Sequence, residues 1–138
     1  MRVWTIQPVS LFETLQQQKV LHSDFNQSQY HDYDDFIQAY AWLADQMTKL
    51  IGPAPAGVKV PFWAWHTVAW KHRKVDLRTT LFRNYPDPMV CLELEVDDEQ
   101  VLLSAFENWH FVLNNWYRKL QEQVSHPMAR HREMNCYL

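Results

Sequence analysis

Glycine occurs only twice in this chain of 138 residues, at Gly52 and Gly57, and that scarcity restricts its backbone more than any motif does. Where a main chain must turn left-handed or approach a ligand closely, glycine is the default residue. A phosphate loop or a dinucleotide fingerprint needs several glycines at fixed offsets. Both glycines here sit around the end of one expected helix, so those nucleotide-binding modes are excluded. The H-E-x-x-H zinc helix, paired C-x-x-C motifs and the G-x-S-x-G nucleophile elbow do not occur in the sequence either.

The spacing of apolar residues outlines the elements. Arg2 to Gln7 is β-rich and reads as a strand. Ser10 with Glu13 has capping-box spacing and opens a helix, with Leu11, Phe12 and Leu15 as its apolar stripe. His22 to Asp35 is polar and loop-like. From about Asp35, the residues Phe36, Ile37, Tyr40, Leu43, Ala44, Met47, Leu50 and Ile51 follow helical spacing, and Gly52-Pro53 supplies the stop. After a turn over 53–57, the aromatic and β-branched run from Val58 to Val68, extending toward Trp70, reads as a strand. Lys71 to Lys74 then forms a hairpin tip and Val75 to Phe82 its return arm.

Asn84 to Met89 holds Pro86 and Pro88 and is a loop. Val90, Leu92, Leu94 and Val96 alternate with Cys91, Glu93 and Glu95, the period of a half-buried strand. Asp97-Asp98-Glu99 turns the chain, and Gln100 to Leu103 returns antiparallel. Ser104 and Glu107 repeat the capping box before a last helix. Its stripe is Phe106, Trp109, Leu113, Trp116 and Leu120, flanked by Val112 and Tyr117.

This order indicates an α+β fold: a largely antiparallel sheet of about four to five strands with three helices packed on it. Residues 1–125 are expected to form one domain and 126–138 a C-terminal tail. A chain of this length buries roughly two-thirds of its surface, so no disulfide or metal staple is needed. Its apolar (47%) and charged (21%) shares suit an ordinary globular domain. No apolar run approaches the roughly 20 residues of a membrane span, and the N-terminus lacks a secretory signal. A cytoplasmic protein without a membrane partner is expected, with Cys91 and Cys136 reduced.

Charge is segregated along the chain. Lys59, Lys71, Arg73, Lys74, Arg78 and Arg83 face only Asp76 between 59 and 83. From Asn84 to Tyr117 there are seven acids and neither Lys nor Arg. Such segments either neutralise each other on a shared sheet or form two fields, one of which attracts an anion.

Phe62-Trp63-Ala64-Trp65-His66, with Trp70, is the most unusual local feature. On a strand Trp63 and Trp65 share a face, and Phe62, Ala64 and His66 the other. Exposed aromatics beside Lys71, Arg73, Lys74 and Arg78 would suit stacking on a base and charge on a phosphate; the plainer outcome is burial of both faces. Glu93 and Glu95 share a strand face with Cys91, either as an acid–base pair or as a solvated side of the sheet. Asp76 and Arg78 share a face of the return arm, where Arg78 either clamps an anion bidentately or pairs with the acidic strand. His110, next to Trp109, is either a boundary histidine or a helix-borne base. His126, His131 and Cys136 match no standard metal spacing, so no metal site is expected, and no cofactor motif is found.

Trp4-Thr5-Ile6-Gln7, Phe62-Trp63-Ala64-Trp65, Asp76-Leu77-Arg78, Leu102-Leu103-Ser104, Phe106, Trp109-His110 and Leu113-Asn114 occur together in order. With them the chain, from Arg2 to about Tyr117, resembles a family of small bacterial proteins catalogued only as a domain of unknown function. Ala105 stands where that pattern has an acidic residue. The resemblance implies an intracellular stand-alone domain and brings no activity with it.

Three functions are therefore carried forward. The first is a module binding a nucleotide, RNA or another anionic aromatic ligand through Trp63, Trp65, Lys71, Arg73 and Arg78. The second is a small NAD-using transferase resembling the ADP-ribosylating class, with Arg2 on the first strand and Glu93 or Glu95 on a later one. The third is a homodimeric structural or assembly protein with surplus Trp residues at its interface.

Overall fold

Strand β1, Arg2–Pro8, is the axis of the molecule. The computed structural model describes residues 1–28, 30–114 and 134–137. Helices α1 (Val9–Gln18) and α2 (Asp34–Leu50) follow β1; then come β2 (Trp63–Thr67), β3 (Met89–Glu95), β4 (Leu102–Ala105), α3 (Phe106–Leu113) and β5 (Met134–Tyr137). The strands form one sheet in the order β3-β1-β2-β5-β4, each neighbouring pair antiparallel. The expected α+β architecture, with three helices and an antiparallel sheet, is what the chain adopts.

Register follows the alternation of the strands. β1 and β3 pair along their whole length, from Arg2 opposite Glu95 to Pro8 opposite Met89, and Trp4 lies opposite Trp65 of β2. Opposed residues in an antiparallel pair share a face. One face therefore carries Arg2, Trp4, Ile6, Cys91, Glu93 and Glu95, and the other Val3, Thr5, Leu92 and Leu94. Val3 and Ala64 pack with Leu94 and Val101 on the second face. On the first, Trp4 is buried with Val75 and Phe82, and Ile6, Trp65 and Cys91 close around them. A third cluster joins Ala39 and Leu43 of α2 to Trp109 and Val112 of α3, with Trp63 against it. Each of the larger buried aliphatic and Phe side chains contributes roughly 1.5–3 kcal/mol.

Helix α2 ends where the sequence places its stop. Ile51 and Gly52 N–H both donate to the Met47 carbonyl, and Gly52 adopts φ +130°, a value that other residues rarely reach.

Several sequence expectations are corrected. Neither capping box forms: α1 is preceded by Pro8 and α3 by Ala105, and neither helix has a side-chain cap. The Ser10 carbonyl instead accepts from Thr14 Oγ1. The strand expected from Val58 shrinks to Trp63–Thr67, because Pro61 withholds a ladder N–H next to its start. Its hairpin tip lies earlier than expected, at Val68–Lys71, whose backbones exchange two hydrogen bonds. Ala69 (φ 49°) and Trp70 (φ 64°) make this left-handed turn without glycine.

Residues 75–82 are a run of turns and not a return strand. There, apolar Val75 and Phe82 cap the buried face while the polar residues between them bond among themselves: Thr79 donates to the Asp76 carbonyl through both N–H and Oγ1. β4 does not pair back on β3 but lies at the far edge of the sheet. The 96–101 segment crosses the start of β1, where Val96 N–H donates to Met1 O and the Met1 ammonium donates to Val96 O and to Asp98. Residues 134–137, expected in a tail, form β5 between β2 and β4. The boundary near 125, the stripe positions Trp116, Tyr117 and Leu120, and the His126 and His131 pair lie outside the described residues.

Candidate functional site

Alternation along β1 and β3 places Arg2, Trp4, Glu93 and Glu95 on one face at the end of the sheet where β1 begins. The segment following the Val68–Lys71 turn brings His72, Arg73 and Lys74 over that face. Together these seven residues line an open cleft of about 470 Å³.

Trp4 is its floor. The indole is 3% exposed, and its Nε1 donates to Glu93 Oε2 at 2.9 Å. The second oxygen of Glu93 takes Arg2 Nε at 3.3 Å. That pair is half exposed and adds little to stability, but it aims both groups along one wall. His72 packs its ring 5.0 Å from Trp4 and 4.3 Å from His66. Its Nδ1 donates to the His66 carbonyl at 2.7 Å, which fixes the orientation of the ring. The His66 pKa is lowered, first by burial and then by the neighbouring His72 and the N-terminal ammonium, with Asp98 opposing. Among the described residues, Arg73, Lys74 and Glu95 make no ion pair. Beneath them burial pushes up the free Cys91 thiol, and the Lys74 charge partly offsets this.

Trp70 stands two residues before His72. At 64% exposed it is the most open tryptophan at this end, held outward by the left-handed turn. A left-handed residue other than glycine costs roughly 1–2 kcal/mol; strain of this kind clusters at functional positions.

The structure divides the sequence-derived candidates. Arg2, Glu93, Glu95 and Arg73 come together in the cleft. Trp63 and Trp65 share a face as expected, yet both are packed: Trp63 against Trp109 at 4.9 Å, Trp65 against Phe82 and Phe106, each at 5.2 Å. Trp63 Nε1 donates to Tyr40 Oη at 2.7 Å. Arg78 turns its fork onto Asp76, Nε to Oδ1 and Nη2 to Oδ2 at 2.9 Å each, and this pairing holds the Asp76 pKa down at about 2. Lys71 is exposed at the turn. His110 is an exposed boundary residue against Phe106 at 5.3 Å, lining neither this cleft nor the larger one described below. Lys74, grouped in the sequence with the basic residues suited to a phosphate, lines the cleft, whereas sequence reasoning missed Trp4 and His72 as cleft residues. The parity of β1 sets Trp4 beside Arg2 and was readable; the fold-back of 72–74 carried no periodic signal.

Among the described residues no group of three or more His, Cys, Asp or Glu is placed to hold a metal ion, and no helix is long and apolar enough to cross a membrane. The model of the family described as Domain of unknown function (DUF3841) matches residues 2–134. No curated protein and no solved structure matches the chain.

Proposed function

We propose that this chain, which belongs to the DUF3841 family, is a ligand-binding module whose recognition surface is the basic cleft and its Trp70–Lys71 lip. The ligand class is a nucleotide or another anionic aromatic molecule. The observation that carries this reading is the convergence of Arg2, Arg73 and Lys74 on one open cleft, where Arg73 and Lys74 make no ion pair among the described residues, with the exposed Trp70 two residues before its His72 wall. Guanidinium and ammonium groups so placed bind phosphate, and an open indole stacks on a base at about 1–3 kcal/mol. Glu95 offers an acceptor to sugar or base donors. Trp70 takes the stacking role that the sequence had assigned to Trp63 and Trp65. In this reading the protein works in the cytoplasm, where the Cys91 thiol stays reduced.

Titration of tryptophan fluorescence with ATP, ADP and short RNA at two salt concentrations tests it. Saturable quenching that weakens with salt is expected, reduced about tenfold or more by Arg73→Ala with Lys74→Ala. A wild type giving no response to any of the three at low salt would end the reading.

One further observation favours an enzyme. Arg2 and Glu93 touch on adjacent strands, and Glu95 lies directly opposite Arg2. A NAD-using transferase resembling the ADP-ribosylating class would use Arg2 on a phosphate and a glutamate on the ribose hydroxyls; the support is architectural analogy. NAD consumption by wild type, lost in Glu93→Ala or Glu95→Ala, is the expected result. An inert wild type refutes it.

A further inference from the structure

At the other end of β1 lies a larger cleft, of about 730 Å³, between the 22–28 loop, the 60–63 segment and the loop entering β3. Its character is opposite to that of the basic cleft. Phe25, Tyr40, Phe62 and Trp63 line it with aromatic rings, Phe25 and Tyr40 being 5.0 Å apart. Its titratable side chains besides Tyr40 are Asp24, Asp87 and His22, and among the described residues no Lys or Arg lines it. The Asp24 carboxylate is oriented by Asn26 N–H and Gln27 Nε2 as it caps the short helical turn at 25–27.

Tyr40 supplies a directional group. Its oxygen accepts from Trp63 Nε1 at 2.7 Å, and its own hydrogen has no acceptor among the described residues. Burial raises its pKa to about 12, so the hydroxyl remains a donor.

We infer that this cleft is a second small-molecule site, which takes a planar ring with an amide- or amidine-like head and no negative charge. Concave sites with aromatic walls and a few placed polar groups are where such ligands bind. The ring lies among the four aromatic side chains, its head within reach of Tyr40 and the carboxylates. An anionic head is disfavoured by the exposed Asp24 and Asp87 carboxylates at the rim, which no Lys or Arg among the described lining residues offsets. This inference is independent of what the basic cleft binds.

Benzamide, benzamidine and benzoate share one shape and differ in charge, so they test it. Each is titrated into the full chain to about 20 mM, the range suited to fragments, and followed by amide chemical shifts. Saturable shifts at 22–28 and 60–63 are expected for benzamide and benzamidine, with benzoate at least tenfold weaker. Tyr40→Phe should weaken benzamide, whose carbonyl accepts from the hydroxyl, at least threefold, and benzamidine less. Phe25→Ala should weaken both, its fold checked by circular dichroism; if it is unfolded, the wild-type shift map decides. Benzoate binding as tightly as benzamide, shifts centred on 70–74, or no saturation by benzamide and benzamidine would overturn the inference.

Discussion

The two ends of β1 carry clefts built in contrasting ways. At its start, regular strands supply the floor and a strained turn swings His72, Arg73 and Lys74 over it, so alternation and charge decide the chemistry. At its finish, loops supply the walls and aromatic rings the lining, with two carboxylates and His22 but no Lys or Arg among the described residues. One strand thus presents a cation-rich recess at one end and an acid-edged, ring-lined recess at the other. The difference teaches that charges segregated along the sequence need not stay apart in space: the basic 72–74 segment and the acidic strand β3 meet in the first recess, where Glu93 and Glu95 lie among the cations.

Substituting the floor of the basic end should produce the largest effect. Trp4→Ala removes a buried indole and strands Glu93 without its Nε1 donor; a loss of about 3–5 kcal/mol in urea unfolding is expected. Phe25→Ala, at the half-buried acidic end, should cost clearly less. Equal losses would show that the two recesses are equally tied to the core.

An alkaline titration separates the ends next. The folded-state pKa of Tyr40 is raised to about 12 against 10.0 unfolded. Above pH 10 the unfolded chain loses a proton that the folded chain keeps, so stability falls as pH rises through that window. The full loss is about 2–3 kcal/mol, and Tyr40→Phe should remove that part of the slope. Trp4→Ala should leave it intact.

A smaller effect of opposite sign is expected at the turn. Trp70→Gly relieves a left-handed residue and should stabilise the fold by about 1 kcal/mol, read as a rise in the urea midpoint. The same variant should lose fluorescence quenching by nucleotide, separating stability from binding at the basic end alone.

The smallest effect lies at acid pH. His66 titrates below its ordinary value of 6.5 when folded. As pH falls below 6.5 the unfolded chain takes up a proton first, so stability declines toward the folded-state value and His66→Asn flattens that decline.

The elements whose pattern is local were legible in the sequence. The strand alternation of 90–96 placed Glu93, Glu95 and Cys91 on one face, and the 3.6-residue period of α2 with its Gly-Pro stop placed that helix within a residue or so. Pairing partners were not legible. Two strands separated by a short acidic segment look like a hairpin, yet 96–101 is tied to Met1 and crosses the sheet, a decision made by long-range hydrogen bonds. The 75–82 run misled because Val75 and Phe82 are apolar for capping Trp4 and Trp65, which is a tertiary reason that a period of two cannot report. Half of the basic cleft, Arg2 with the two glutamates, followed from strand parity and composition. The other half depended on a glycine-free left-handed turn at Ala69-Trp70, a geometry that residue preferences argue against.

The position of β5 sets the order in which the molecule can be completed during synthesis. Among the described residues β4 is bonded to the rest of the sheet through β5 alone, so a nascent chain can zip β3, β1 and β2 early while β4 waits without that ladder partner. Its exposed edge is available to other chains until residues 134–137 have been made. Translation stalled before that point should therefore yield an aggregation-prone three-stranded intermediate.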